Sequence, residues 1–344
     1  MYTEQQYYEQ LANHQIWSYN HKDNKSLNII CSDLLPNMQN TDLEHIFIDF
    51  RHKDIIPINE INKVILWGAL YNELTARALQ FAVINHLPIE IWENGFIRSV
   101  KGWSIHQDKY TNGYSFIKGV IPYFDTISSI PNNVTKDINN YKCTKADIKL
   151  ARKCIDYIVK HELTKYNHQQ KVELKPTELR KLLLIDQSYN DMSVIKCGAN
   201  EQSFITMITD ALARQNTTLY LKLHPDTIAG ERGGYFKLPA IQSLIASNPN
   251  RFVMIDYEAN PLDTIKQVDA VYCVSSQLGF EAMMCNKEVH IYGKPIYLNN
   301  LTLEEFFYIF YIKNTMWIDP YTNKMTDIYT FLNNFTRLLN DKSC

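Results

Sequence analysis

Glycine and proline are scarce in this 344-residue sequence, at 11 and 12 residues, and cysteine occurs only seven times. So little glycine and proline excludes a collagen-like or low-complexity chain. The cysteines, Cys31, Cys143, Cys154, Cys197, Cys273, Cys285 and Cys344, stand singly, with no CxxC pair and an odd total. That excludes a disulfide framework or a zinc site and points to a reducing compartment. Basic residues are not in surplus: the formal charge is −2. A nucleic-acid binder needs a cationic face to neutralise phosphates, so no nucleic-acid partner is expected. Long hydrophobic runs are missing as well. The most apolar stretch, Phe306 to Ile312, is too short to span a bilayer. The first ten residues, MYTEQQYYEQ, have neither the basic nor the apolar region of a secretory signal. These absences predict a cytoplasmic protein, at most peripheral to a membrane.

Motif absences narrow the chemistry. The ten histidines form no HExxH or close His/Cys grouping, and there is no Walker A loop. Gly230, Gly233 and Gly234 lack the GxGxxG spacing, and no Gly-x-Ser-x-Gly elbow occurs. A P-loop NTPase, a simple dehydrogenase, a zinc enzyme and a serine hydrolase are all left without their motif. No metal or cofactor is expected.

What is present is a chain that is 45% hydrophobic and 12% aromatic, long enough for two cores. His45–Phe50 reads as a short buried strand. Lys63–Trp67, Asn72–Leu87 and Pro88–Trp92 read as strand, helix and strand, which favours a parallel sheet. Residues 112–135 read as an irregular β segment and Lys145–Tyr166 as a helix. The polar stretch Asn167–Glu178 is the best linker. After it come strand Lys181–Ile185, helix Asn200–Arg214, strand Thr218–Leu223 and a Gly-rich loop at 229–234. Strand Phe252–Ile255, helix Pro261–Gln267, strand Ala270–Val274, helix Gly279–Asn286 and strand Val289–Tyr292 follow. Such alternation predicts a doubly wound α/β domain, in which ligands bind at the carboxyl ends of the strands. Two α/β halves with a polar linker predict two Rossmann-like domains facing each other across a cleft, a GT-B-like arrangement. The division is expected as 1–170 and 171–344.

Four polar clusters fall at strand ends. In the first, Lys222 and His224 share a parity on the strand, before Pro225 ends it. Two donors on one face suit a phosphate; the plainer reading is a strand-edge histidine before a turn proline. In the second, an apolar strand runs into Ser275, Ser276 and Gln277 and then a helix carrying Glu281. Hydroxyls and free helical N–H groups make a phosphate cradle, with Glu281 placed for ribose hydroxyls; the plainer reading is an N-cap at Ser276. The third, Asp186-Gln187-Ser188 to Asp191-Met192-Ser193, holds two carboxylates in a strand-to-helix loop. One of them suits a nucleophile; the plainer reading is an Asx-turn. The fourth, Glu93 to Ser99, ends a strand with a carboxylate and includes Arg98, which is equally suited to a structural ion pair.

Together these clusters resemble the retaining β-Kdo transferases of bacterial capsule and lipopolysaccharide assembly, the KpsC type. The matching blocks run in family order from Trp67-Gly68 and Glu93–Ser99 through Tyr123-Phe124-Asp125 and Lys165-Tyr166-Asn167. They continue through Asp186–Ser193, Lys222–Pro225, Ser275–Ala282 and Gly293-Lys294-Pro295 to Leu303–Pro320, which resembles the family's closing helix and Asp-Pro turn. The resemblance spans residues 63–320. It implies a first domain on the acceptor side carrying Glu93, and a second domain that binds a CMP-sugar and ends in a closing helical segment. It also implies CMP-β-Kdo as donor, no metal, and double displacement through a covalent intermediate.

Carried over, an aspartate of the 186–191 loop attacks the anomeric carbon. Asp191, beyond the strand, is preferred, and Asp186 positions its neighbours. Glu93 is the acid/base that deprotonates the acceptor hydroxyl. Lys222, His224, Ser275 and Ser276 stabilise the departing phosphate. Gln187, Pro225, Gln277 and Glu281 complete the nucleotide set, with Arg98 and Ser193 nearby. The implied partners are a CMP-sugar and a glycan or lipid-linked acceptor, with a membrane surface or a capsule-assembly complex as the setting. The chain departs from the family at Asn94, where an aspartate is usual, and at Ala69-Leu70-Tyr71, which lacks a basic residue. It holds one catalytic unit where some relatives carry two, so one kind of linkage is expected. Two alternatives stay open: a transferase for another CMP-nonulosonate of the sialic type, and a non-catalytic sugar-nucleotide scaffold. Glu93-Asn94-Gly95-Phe96 favours Kdo, and retention of Glu93, Asp191 and His224 together argues against the scaffold.

Overall fold

A computed structural model describes residues 2–20, 27–31, 45–47, 61–69, 71–101 and 113–341. The chain begins with helix α1 (Glu4–Asn20), followed by strands β1 (Leu27–Cys31) and β2 (His45–Phe47). The latter half of the strand expected at 45–50, and Leu70, lie outside the described residues. The expected strand–helix–strand unit follows as β3 (Ile61–Trp67), α2 (Glu73–Ile84) and β4 (Ile89–Asn94), with the two strands parallel. Asn72 and Thr75 form a reciprocal capping box at the start of α2, which satisfies two backbone donors. The helix then buries Ala76, Leu79 and Ala82 with Val64, Leu66 and Ile91 of the strands.

Strand β5 (Ser115–Gly119) runs antiparallel to β4, so this sheet is mixed. Helices α3 (Asn133–Asn140) and α4 (Lys145–His161) come next. The latter stops five residues short of the expected Tyr166, because Glu162 takes a left-handed conformation (φ 54°). The chain then turns so that Tyr166 bridges to Ser99. The polar linker is pinned: Val172 N and Leu174 N donate to Asp263 Oδ2 and Gln267 Oε1, each at 3.0 Å.

The second half consists of β6 (Arg180–Ile185), α5 (Met192–Ile195), α6 (Glu201–Ala213), β7 (Thr217–Lys222), α7 (Pro225–Ile228) and α8 (Pro239–Ser247). It continues with β8 (Phe252–Ile255), α9 (Pro261–Lys266), β9 (Ala270–Cys273), α10 (Gln277–Met284) and β10 (Glu288–Ile291). All five strands are parallel, in the order β10-β9-β6-β7-β8. The order reverses at β6, whose two neighbours are reached in opposite directions. The crevice between the carboxyl ends of β6 and β9 is therefore the topological switch point, where doubly wound sheets take ligands.

The last segment corrects the expected division at residue 170. After α11 (Leu303–Phe307) and a π-helical stretch, Tyr308–Asn314, the chain forms β11 (Thr315–Ile318) and β12 (Met325–Thr326). These strands join the first sheet, whose order is β12-β11-β5-β4-β3-β1-β2. Helix α12 (Ile328–Asn340) then packs on α4 and β11. Pairing β11 with β5 buries Trp317 and Ile318, a gain that a four-residue strand does not advertise locally. Within Phe306–Tyr311 all side chains but that of Tyr308 are buried in the core, and most of the stretch is π- rather than α-helical. Phe310 and Phe280 meet Phe96 of the first half at centroid distances of 4.3 and 6.1 Å. One aromatic core thus runs through both halves. Among the described residues no helix is long and apolar enough to cross a membrane.

Candidate active site

The switch point is built by side chains from two loops. Gln187, just past β6, donates through Nε2 to Ser275 Oγ at 3.0 Å and accepts from Ser275 N at 2.9 Å. This pair clamps the ends of β6 and β9 together. Asp186 lies beneath it, 1% exposed, and its Oδ1 accepts from Gln187 N and Phe236 N at 2.9 and 3.0 Å. Burial pushes its carboxyl up to about 7, against the pull of those N–H groups. Gly234 is required here, since a Cβ at that position would overlap Asp186 Oδ2. Asp186 therefore organises the loop from below. Asp191 instead caps α5, accepting from Ser193 N at 2.8 Å and Ser193 Oγ at 2.6 Å, and it remains partly exposed. The Arg232 guanidinium approaches it to 3.8 Å.

Lys222 and His224, expected to share a parity on one strand, have different surroundings, because β7 ends at Lys222. His224 leaves the strand to cap α7, with Pro225 at the first helical position, where proline's missing N–H costs nothing. Its Nδ1 accepts from Asp226 N at 3.2 Å and from Ser188 Oγ at 3.1 Å. Burial holds the imidazole below its ordinary pKa. A neutral ring whose Nδ1 accepts carries its proton on Nε2, which leaves that N–H as a donor. Lys222 is 3% exposed and its Nζ has no partner among the described residues. Burial lowers the ammonium to about 8, offset in part by Glu281 and Glu258.

Helix α10 begins at Gln277, two residues before the expected start, because Ser276 caps it by accepting from Leu278 N at 3.3 Å. That places Gln277 in the first turn, where its amide donates to Phe96 O at 2.6 Å and to Glu281 Oε1 at 2.7 Å. Gln277, expected among the nucleotide contacts, links the two halves in this structure. Glu281 is 1% exposed; Oε1 also accepts from Thr164 Oγ1 at 2.7 Å, whereas Oε2 has no partner among the described residues. Burial raises this carboxyl to about 7.

The facing wall carries Glu93 at the end of β4. Gly68, at φ 70°, turns past it with room for a Cβ only 3.6 Å from Oε1. Burial raises Glu93 to about 7; Lys165 opposes that rise, and the charge of Asp191 adds to it. The charge of Asp191, on the other half, thus reaches Glu93. Tyr123 lies in the same field, its phenol raised by burial, then by Glu93 and Asp191. Arg98 is buried in the turn after Glu93, donating to Asn94 Oδ1 at 2.9 Å and Ser99 Oγ at 3.0 Å. Its role here is to hold that turn, and Asn94 is its acceptor. Among the described residues no group of three or more His, Cys, Asp and Glu side chains is placed to hold a metal ion.

Three residues with no role assigned from the sequence join this site. Tyr123 and Lys165 stood only in matching blocks. Arg232 gave no signal beyond being a lone cation in a Gly-rich loop, which the Ser188–Gly234 bridge brings to Asp191.

The family of capsule polysaccharide biosynthesis proteins matches residues 62–316. The chain is 31% identical over 245 residues to capsule polysaccharide modification protein LipA of Neisseria meningitidis, covering 69% of this chain and 33% of that protein. It is 30% identical over 246 residues to the lipopolysaccharide-processing protein LpsZ of Rhizobium meliloti, covering 68% and 51%. The chain thus spans about a third to a half of the length of these relatives. The β-Kdo 2,4 transferase of Thermosulfurimonas dismutans KpsC superimposes with a TM-score of 0.76 at 26% identity, covering 91% of this chain and 99% of that one. The β-Kdo 2,7 transferase of the same KpsC gives 0.61 at 15% identity over 91% and 99%, a likeness of fold alone. The architecture is GT-B-like, as expected from the sequence.

Proposed function

This chain belongs to the capsule polysaccharide biosynthesis protein family, and we propose that it is a retaining glycosyltransferase that moves β-Kdo from CMP-β-Kdo to a glycan or lipid-linked acceptor. The observation that carries this reading is the placement of Asp191 and Glu93. They lie on opposite halves, within each other's field, beside a cradle made of Gln187, Ser275, Ser276 and His224 at the switch point.

In the first step an Asp191 oxygen attacks the anomeric carbon. The bond to the CMP phosphate oxygen breaks, and its electron pair leaves with CMP. The developing charge is met by the His224 Nε2–H, the Ser276 hydroxyl and the first N–H groups of α10. In this reading these donors, with no metal, supply the stabilisation. In the second step Glu93 takes the proton of the acceptor hydroxyl as that oxygen attacks the same carbon and releases Asp191. Two inversions retain the anomeric configuration. A carboxyl raised to about 7 is matched to accept a proton near neutral pH. Asp186 takes no part in bond making; it holds Gln187 and Phe236.

The test is intact-protein mass spectrometry of Glu93→Gln incubated with CMP-Kdo, with and without EDTA, and with a CMP-sialate in parallel. A mass gain of one Kdo, lost when Asp191→Ala is added, is the expected result. Unchanged mass with normal donor binding counts against the covalent route. A gain only from the sialate moves the donor assignment.

A further inference from the structure

Lys165 lies where the two halves meet. Its carbonyl accepts from Arg98 N and Ser99 N, both at 3.1 Å. The preceding Thr164 donates to Glu281 of the second half. Asn167 donates to Ser99 O at 2.9 Å and Thr164 O at 2.7 Å. The backbone is therefore fastened on three sides. The half-buried side chain is left otherwise. Its Nζ sits 5.6 Å from the Tyr166 ring, and among the described residues it has no carboxylate within 4 Å and no hydrogen bond. Its charged form is favoured first by Tyr166, against burial and Arg98, and then by Asp191 and Asp226, and it in turn draws down Glu93 and Glu281.

An ammonium anchored where the halves that carry Asp191 and Glu93 meet, and paired with neither carboxylate, is poised for an anion brought by the substrate. The other three cations here are occupied or enclosed. Arg98 is bound to Asn94 and Ser99, Arg232 lies 3.8 Å from Asp191 and donates to Tyr189 O, and Lys222 is buried. A 2-ulosonic acid carries its carboxylate on the anomeric carbon itself, so a sugar held between Asp191 and Glu93 must place that carboxylate in the same space. We propose that Lys165 is the specificity residue that binds the anomeric carboxylate of a CMP-linked 2-ulosonate, selecting acidic over neutral sugars. This rests on the transferase reading above, and it holds for Kdo and sialic-type donors alike.

The test compares CMP, which lacks the carboxylate, with CMP-Kdo and a CMP-sialate. Binding is measured by calorimetry in an Asp191→Asn background that blocks transfer. Lys165→Met is expected to leave the CMP Kd within about twofold while weakening CMP-Kdo by about 30-fold, the size of a hydrogen bond between charged groups. Lys165→Arg is expected to recover most of that loss, which a merely structural lysine would not predict. Equal weakening of CMP and donor makes Lys165 a phosphate or structural residue and overturns the proposal, as does no weakening of either. If only the sialate binds more tightly than CMP, the Kdo assignment falls, while the split between CMP and donor still decides Lys165. A protein that binds no ulosonate donor more tightly than CMP overturns both.

Discussion

The Thr164 hydroxyl donates a 2.7 Å hydrogen bond to Glu281 Oε1 across 117 residues of chain. Gln277 donates to the same oxygen and to Phe96 O, so one carboxylate oxygen ties the halves together beneath the cleft. Glu281 Oε2 is left buried and unpartnered among the described residues. An unmade hydrogen bond on a buried polar atom costs about 1–3 kcal/mol, and a nucleotide hydroxyl would remove that cost.

Glu281→Gln keeps an acceptor for Thr164 but puts a donor in place of Oε2. It is expected to weaken CMP binding about tenfold in calorimetry without lowering Tm. Undiminished affinity would remove Glu281 from the ribose site.

His224 has two duties that separate chemically. Its Nδ1 accepts the Asp226 N–H as a helix cap, and its Nε2–H points elsewhere. Asparagine is also a good N-cap but has nothing in the place of Nε2. His224→Asn is therefore expected to keep Tm within a few degrees and to weaken CMP binding by about tenfold or more. A variant that folds and binds CMP normally would leave His224 as a cap alone.

Gly234 has no room for a methyl group against Asp186 Oδ2. Forcing one in displaces a carboxylate that holds the backbone of Gln187 and Phe236. Gly234→Ala is expected to destabilise the fold by about 1–3 kcal/mol in urea titration and to lower turnover with it. Wild-type stability would show that the loop yields without loss.

Glu93 gives a pH signature with a defined sign. Its folded pKa is raised to about 7 from the ordinary 4.5, so between those values the folded state binds the extra proton. Its contribution to stability is fully present below about pH 4.5 and is lost as pH rises through 7. Glu93→Gln carries no such loss. The Tm of the variant relative to wild type, followed by calorimetry in the absence of ligand, is expected to climb from pH 5 to pH 8. A constant difference would place Glu93 in a solvated site. Turnover of the wild type should rise over the same range as the base is freed.

Much of the βα alternation in both halves was legible because its signals are local. Helices α6 and α2 start at Asn200 and Asn72, where side-chain caps close on the next residues. The apolar runs of β6, β7 and β9 report burial on both faces. The start of α10 was misplaced because Ser276 and Gln277 look the same as loop or first turn; the Gln277 contact to Phe96, 181 residues away, marks the difference. The reading of Lys222 with His224 followed strand alternation, which stopped applying once His224 became a helix cap.

By itself the sequence determined that the chain alternates strand and helix, that polar clusters stand at the strand ends, and that its blocks follow one family's order. Those properties depend on neighbouring residues, through caps, periodicity and short hydrogen bonds. Only the tertiary structure decided that 315–326 returns to the first sheet, that Gln277 links the halves, and that Lys165 stands where the halves meet, with no carboxylate paired to it among the described residues. Each of these depends on groups more than a hundred residues apart, or on opposite halves, brought together by a shared aromatic core. The loop bridged by Ser188 and Gly234 also buries Asp186 and leaves Asp191 partly open, a difference in burial that the sequence of the loop does not show.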